Sequence, residues 1–400
     1  MIKIRSITYN IGSDDSNLSK ELFGYSQEWD STFLPHTQRI NLSESDSSRK
    51  YLNRISSYIP VCECSSVRWI NSPINCRSTS IKDPYKLALQ ILELSGSTFV
   101  NLISVQQNKI KTNEFENYSK LIKKVARLDD TGVNNFRLGL SFNIGYNCPF
   151  FPFTRAKLNE NSFSIGLELV EEINRIIIES KLKSLVDLKK LIIETLEKQV
   201  SNIYKFAINF EAKHDLKFSG FDFSIAPVIS ELGSVLPLLK TVGISSFGAV
   251  GTMFATAYWT DILGTLKSKF PSVGFSGMMY SILEDIELCK LNNKKGIKAE
   301  NFVSLSTMCG CGLDMLPIYE DTSDQEVVSA CLDIAAISCR YNKPLGVRLL
   351  PIPRILRGSN NYTSISDEVD FISNTKVVNL GENEIVNCNS PLMIDRYKNE

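Results

Sequence analysis

From Asp83 onward the chain switches repeatedly between two hydrophobic periods, and this alternation limits the fold more than any other feature. Asp83-Pro84 reads as an N-cap followed by proline at the first helical position, where the missing N–H costs nothing. Leu87, Leu89, Ile91 and Leu92 follow, and Gly96 supplies a stop. Thr98–Val105 reads as a strand, Glu114–Arg127 as a helix and Phe136–Phe142 as a strand. Strands alternating with helices imply βαβ units and a mostly parallel sheet. A long helix is expected from about Ser162 to Lys181, with Ile165, Leu169, Ile173 and Ile176 on one stripe. A second begins at Ser184 and carries Leu188, Ile192, Leu196, Val200 and Ile203. Ser323 and Glu326 form a capping box that opens a helix reaching Tyr341. Pro344–Leu350 then reads as a strand.

The flanks are less regular. Met1–Tyr9 alternates apolar and polar residues and reads as a first strand; no apolar core of a signal peptide follows its early charges. Gly12–Ser48 is rich in Ser, Asn and Asp and is expected to be mostly loop, followed by a short helix near Ser47–Tyr58 that Pro60 ends. After Gly358 the chain turns polar and is expected to wind over the surface, with Val377–Leu380 as an edge strand. This gives one large domain over residues 1–360 and a tail over 361–400.

Lys+Arg and Asp+Glu both number 44, so the formal net charge is +0. No overall field draws such a chain to nucleic acid or to an anionic membrane. No apolar stretch is long enough to span a bilayer, and the cytoplasm is the expected location. The ten cysteines are scattered and carry no disulfide framework pattern. Cys331 and Cys339 sit in a helical pattern as small core residues.

Three segments could carry chemistry. In Gly220–Pro227, Asp222 and Ser224 would share one face of a strand, near the edge where ligands sit in open α/β sheets. In Gly243–Thr252, Gly248 and Gly251 precede a helix that begins near Thr252 and carries Phe254, Tyr258 and Ile262. Such a start suits an anion, and equally suits tight helix–strand packing. It is neither a P-loop nor a GxGxxG fingerprint. In Ser304–Pro317 a strand is expected to run into Cys309-Gly310-Cys311-Gly312 and then Asp314. Glycines beside each cysteine allow close approach and unusual dihedrals. Cys309 could be a nucleophile if a positive neighbour lowered its pKa, or both thiols could simply pack. A zinc site lacks a second cysteine pair, and the chain has only His36 and His214. Glu284-Asp285 are placed on a helix that lets one of them face a pocket. Arg348, inside an apolar strand, needs a carboxylate or phosphate partner.

Taken in order, these segments resemble the DUF711 family, also filed as UPF0210. The residues that carry the resemblance are Pro149-Phe150-Phe151-Pro152, Ser164–Glu168, Asp222–Pro227, Gly274–Gly277, Glu284-Asp285, Cys309–Asp314 and Gly346–Pro353. They cover about residues 136–358. The chain departs from the family at Tyr319-Glu320, where Pro-Gly is usual, and at Arg354, where glycine is usual. The resemblance implies a ten-stranded α/β barrel like that of pyruvate formate-lyase and ribonucleotide reductase large subunits, with two five-stranded parallel halves around a finger loop. Met308–Asp314 would occupy the place of that loop. No Arg-Val-x-Gly-Tyr glycyl-radical motif lies near the C-terminus.

The expected function is that of an enzyme acting on a small anionic metabolite in a barrel-centre pocket. Asp222, Asp285 and Asp314 would supply acid–base groups and Cys309 a nucleophile. Ser224, Gly248, Gly251, Thr252, Cys311 and Arg348 would hold the ligand. A non-catalytic binding or regulatory protein on the same fold is the alternative. A Mg²⁺ ion held by carboxylates stays open, as does a homo-oligomer; the sequence names no cofactor.

Overall fold

The computed structural model describes residues 1–13, 18–105, 108–181, 184–359, 361–367, 369–383 and 391–396. Cys388 lies outside them. The described chain divides into two compact units interleaved along the sequence. The first comprises Met1–Asn101, Gly145–Ile225 and Thr260–Gly277; the second comprises Leu102–Ile144, Ala226–Trp259 and Met278–Glu400.

The N-terminal stretch is more regular than its composition suggests. It runs β1 (Lys3–Ile11), α1 (Leu18–Thr32), β2 (Thr37–Leu42), α2 (Ser48–Cys64), β3 (Val67–Asn75), α3 (Pro84–Leu94) and β4 (Thr98–Val105). The loop expected over Gly12–Ser48 is instead mostly α1 and β2. Leu18, Leu22, Tyr25 and Trp29 are buried at helical spacing, together with Ser26, whose hydroxyl donates to the Phe23 carbonyl at 3.0 Å. Helix α2 also continues through Pro60 to Cys64. Pro60 and Ser56, whose carbonyl loses its intrahelical partner, both lie on the exposed side, where water can take over. Asp83 caps α3 as expected, accepting from the N–H groups of Tyr85 and Lys86.

The chain continues with β5 (Lys109–Ile110), α4 (Thr112–Val125), β6 (Leu138–Phe142), β7 (Ser162–Glu168), α5 (Val170–Ser180), α6 (Leu185–His214) and β8 (Lys217–Asp222). The helix expected from Ser162 begins only at Val170. Ser162–Glu168 alternates strictly, Ser-Phe-Ser-Ile-Gly-Leu-Glu, and that period-two pattern forms β7. Helix α6 starts where the sequence placed it, with Ser184 as N-cap.

In the first unit the strand order is β8-β7-β1-β2-β3, followed by the residues of β4 through Asn101. β1, β2 and β3 are parallel, with α1 and α2 as their crossovers. β7 is antiparallel to β1 and parallel to β8.

The remaining elements are α7 (Leu236–Thr241), α8 (Thr252–Lys269), α9 (Ile286–Lys295), α10 (Ala299–Leu305), β9 (Gly312–Tyr319), α11 (Asp324–Tyr341), β10 (Leu345–Ile352) and β11 (Leu392–Met393). In the second unit β6, β10 and β9 are neighbours, β10 being antiparallel to β6 and parallel to β9. α11 is the crossover between β9 and β10. Its capping box forms as the sequence required: Ser323 Oγ accepts from Glu326 N at 3.2 Å, and Ser323 N donates to Glu326 Oε2 at 2.8 Å. Val378 in the C-terminal segment bridges Ile318 beside β9, where an edge strand was expected. β5 and β11 form a separate antiparallel pair.

The architecture is mixed α/β. Each unit carries an antiparallel joint, and neither closes its strands into a barrel among the described residues. No helix among the described residues is long and apolar enough to cross a membrane.

Candidate functional site

In the first unit the strands carry a buried polar layer that the sequence reading missed. Asn10, Asn41, Asn71 and Asn101 lie on β1, β2, β3 and β4, and all four are fully buried. Asn41 Nδ2 donates to Asn10 Oδ1 at 2.8 Å, and Asn71 Nδ2 donates to Asn41 Oδ1 at 3.3 Å. Thr154 closes the row. Its hydroxyl accepts from Asn41 at 3.0 Å, and its carbonyl accepts from Asn71 at 3.1 Å and Asn101 at 3.0 Å. An asparagine recurring beside apolar residues on four strands, as in Tyr9-Asn10-Ile11 and Ile40-Asn41-Leu42, was the signal available.

Asp222 and Ser224 do meet, but not as alternate residues of one strand, because β8 ends at Asp222. The segment after Pro271 pairs with Phe221 and closes over the strand end. Asp222 accepts from the Ser224 N–H at 2.7 Å, the Ser224 hydroxyl, the Phe275 N–H at 3.0 Å and the Ser276 N–H at 3.3 Å. Burial pushes its carboxyl up, and these donors pull the other way. Gly274 has φ +72°, and a Cβ there would lie 2.2 Å from Asp222 Oδ2 and 3.0 Å from Cys148 Sγ. Asp222 is thus the stitch between β8 and the 274–276 turn.

In the second unit Asp285 is not inside a helix, as expected, but is the N-cap of α9. It accepts from Glu287 N at 3.0 Å, Leu288 N at 3.0 Å and Val235 N at 2.9 Å. Glu284 closes the short 3₁₀ turn before it. Arg348 finds the carboxylate it needs in Asp314, with Nε–Oδ1 at 2.7 Å and Nη2–Oδ2 at 2.9 Å; its Nη1 donates to the Phe136 carbonyl at 3.0 Å. Both side chains are buried. The pair sits at a β-bulge: Leu313 faces Val347 and Leu316 faces Leu349, so Asp314 and Met315 together oppose Arg348.

Gly248 and Gly251 have φ +78° and +99° and are approached by Asn301 and by Ile244, respectively. Thr252 opens α8, and its hydroxyl donates to the Ala249 carbonyl at 2.7 Å. The glycines here serve close packing of side chains. Nearby, Lys240, Lys290, Lys294 and Lys295 line a cavity of about 290 Å³ whose apolar wall includes Leu291 and Phe247. The Phe247 ring also meets the Tyr280 ring in a T-shaped contact, with centroids 5.2 Å apart.

Cys309-Gly310-Cys311 does not follow a strand, as expected, but joins the end of α10 to the start of β9. Ala299, Phe302 and Leu305 are buried on α10 at helical spacing. Cys309 and Cys311 are both buried. The Cys311 thiol donates to the Gly312 carbonyl at 4.0 Å, and the Cys309 N–H donates to the Leu305 carbonyl at 2.6 Å. The Tyr280 N–H points at the Cys311 sulfur. Lys343 Nζ closes the turn by donating to the carbonyls of Ser306 at 3.0 Å, Thr307 at 3.2 Å and Cys309. The neighbouring Cys311 thiol is the largest influence on Cys309. Together with the Lys343 charge and the N–H groups of Gly312 and Cys311, it outweighs burial and lowers the thiol from 9.0 to about 6. Cys311 is driven the opposite way, well above the usual thiol range, by Cys309 and by burial. Lys343 is itself lowered by burial, against the pull of the two sulfurs. Nothing in Tyr341-Asn342-Lys343-Pro344 signalled this role, because the lysine reaches its partners only after α11 has ended.

Among the described residues no three His, Cys, Asp or Glu side chains come together as a metal-holding group. Among the described residues no two cysteines are joined in a disulfide.

The family model described as Uncharacterised ACR (DUF711) matches residues 84–361. The chain belongs to the DUF711 family. The matched region contains Asp222, Asp285, Cys309, Asp314 and Arg348. Curated relatives carry the name UPF0210 protein. One from Pyrobaculum arsenaticum is 31% identical over 138 residues, which is 34% of this chain and 31% of the relative. One from Lacticaseibacillus paracasei is 32% identical over 141 residues, or 35% of this chain and 32% of the relative. One from Halothermothrix orenii is 26% identical over 262 residues, or 63% of this chain and 55% of the relative. The chain thus spans about a third of the length of the first two relatives and about half of the third.

Proposed function

We propose that this DUF711 chain is a thiol-dependent enzyme in which Cys309 attacks an electrophilic carbon of a small anionic metabolite. One observation carries the reading: Lys343 Nζ is held on the carbonyls of Ser306, Thr307 and Cys309, which fixes an ammonium against the turn that carries the Cys309 sulfur. A sulfur held this way is ionised near neutral pH, and the thiolate is the form that attacks. In the first step its lone pair forms the S–C bond while the π pair of the carbonyl moves to oxygen. The lysine-lined cavity supports an anionic substrate, since its wall residue Phe247 also packs on Tyr280, whose N–H reaches Cys311. Asp285, Asp314 and Arg348 enter as positioning residues, their hydrogen bonds being made to the turns and strands around them.

The same reading places the chain on a barrel of the pyruvate formate-lyase type. Support comes from the parallel strands joined by helical crossovers within each unit, β1–β2–β3 in the first and β9–β10 in the second. A second reading, a binding protein without turnover, is favoured by the commitment of Asp222 and Asp285 to local donors, which leaves acid–base work to be supplied elsewhere.

Incubation with a metabolite extract, followed by mass spectrometry, separates the two. Catalysis requires an adduct on Cys309 or a converted metabolite, lost in Cys309→Ser. A ligand retained unchanged, and equally by both proteins, would establish the binding reading instead.

A further inference from the structure

The lysine-lined cavity is built by two helices that share one fastening. Asp285 caps α9 and also accepts from the Val235 N–H, at the start of α7, at 2.9 Å. Both helices therefore start from one carboxylate, and both carry lysine in their last turn: Lys240 on α7, Lys294 and Lys295 on α9. The cavity wall follows helical spacing on each. Glu287, Lys290, Leu291, Lys294 and Lys295 make one continuous stripe of α9, and Leu236, Leu239 and Lys240 make the matching stripe of α7. Gly243, at φ +87°, then turns the chain back so that the Ile244 N–H donates to the Leu239 carbonyl at 3.0 Å. Ile244 and Phe247 complete the wall, and the Phe247 ring is held by those of Tyr280 and Phe302, with centroids 5.2 Å and 5.4 Å away.

The wall is mixed in a way that selects a ligand. Glu287 pairs with Lys290 at 2.8 Å, whereas Lys240, Lys294 and Lys295 make no ion pair among the described residues. Like charges lining one small space repel, and an anion between them relieves the repulsion. A bare anion would leave the apolar wall wet, and a neutral apolar molecule would leave the charges unrelieved. We infer that this cavity takes an amphipathic anion, a phosphate or carboxylate head on an apolar aryl or acyl body. The head meets Lys240, Lys294 and Lys295, and the body lies against Leu239 and Phe247. This narrows the anionic metabolite of the proposed enzyme, and as a substrate site it rests on that reading. Asp285 is its positioning residue, because it sets the spacing of the two lysine-bearing helices.

The test titrates the full-length chain and its Cys309→Ser variant calorimetrically with phenyl phosphate and with inorganic phosphate. Phenyl phosphate should bind both proteins roughly tenfold tighter than inorganic phosphate, the worth of about two buried methylenes. Its binding should weaken with added salt, and should fall on the order of tenfold in Lys240→Gln and in Lys294→Gln. Both lysines are exposed, so these variants keep their fold. Phe247→Ala should erase the preference for the phenyl group while inorganic phosphate still binds. Equal affinity for the two probes, or lysine variants that bind as the wild type does, would overturn the inference and leave the lysines to serve the helix ends alone. Benzoyl phosphate separates the cavity from the nucleophile, since attack by Cys309 forms a thioester and releases phosphate. Selective binding of phenyl phosphate with no acylation of Cys309 keeps the cavity and removes the nucleophile. Acylation of Cys309 at the wild-type rate in both lysine variants keeps the nucleophile and removes the cavity.

Discussion

Replacing Arg348 by methionine is expected to cost the second unit about 3–5 kcal/mol, the usual penalty for removing one partner of a buried ion pair. The guanidinium meets both oxygens of Asp314 and also holds the Phe136 carbonyl. Without it the Asp314 carboxylate is left in a site where its side chain has no solvent exposure. The loss centres on the bulge where Asp314 and Met315 oppose Arg348, so it should be read locally. Amide exchange in β9 and β10 should speed up by roughly a hundredfold to several thousandfold, as each 1.4 kcal/mol is tenfold. The double replacement Arg348→Met with Asp314→Leu should recover most of the protection, because it removes the stranded charge as well. A single replacement costing less than about 1 kcal/mol would show that Asp314 escapes to solvent or to another donor.

A single methyl group at Gly312 is expected to damage fold and chemistry together. The residue opens β9 at φ +93°, a region that costs a side chain on the order of 1–3 kcal/mol. Its Cβ would lie 2.3 Å from the Gly346 carbonyl oxygen, a backbone atom that cannot swing away. Overpacking of this kind adds about 1–3 kcal/mol more. The first rung between β9 and β10 is Gly312 against Gly346, so relief of the clash must pry that rung apart. The Gly312 N–H also points at the Cys309 sulfur. Gly312→Ala should therefore lower the melting temperature and slow iodoacetamide modification of Cys309 at neutral pH. Gly358→Ala, with positive φ and nothing within 4 Å of its Cβ, is the control for backbone strain alone. Equal effects from the two would refute the close approach at Gly346.

The sequence disclosed this part of the molecule unevenly. The Ser323–Glu326 box, the Asp83-Pro84 start and the Ser184 cap are short-range rules, satisfied within one turn, and they were readable. The glycines of Cys309–Gly312 were likewise readable as points of close approach. What failed was period and range. Ser162–Glu168 fitted a helical stripe through Ile165 and Leu169, although its strict alternation governed the outcome. Helix α1 was hidden because its buried face is carried by Tyr25 and Trp29 among many polar residues. Asp222, Asp285 and Arg348 were correctly singled out as groups needing partners, but a lone sequence does not say who the partners are. Asp285 found the ends of two helices, and Asp222 a turn some fifty residues away. Lys343, which shapes the thiol turn more than any residue singled out beside the cysteines, was silent because its contacts are all to backbone carbonyls.

The ionisation of Cys309 is the point on which the catalytic reading depends. A thiol whose folded pKa is lowered adds stability that is present above its unfolded pKa and is lost as pH falls through the folded one. The direct measurement is the ultraviolet thiolate absorbance of the wild type minus that of Cys309→Ser, followed from pH 4 to pH 10. A midpoint near pH 6, moving upward in Cys311→Ala and less far in Lys343→Met, is the expected result. A midpoint at pH 9 or above would mean that burial governs this sulfur, and that Cys309 is a packing residue.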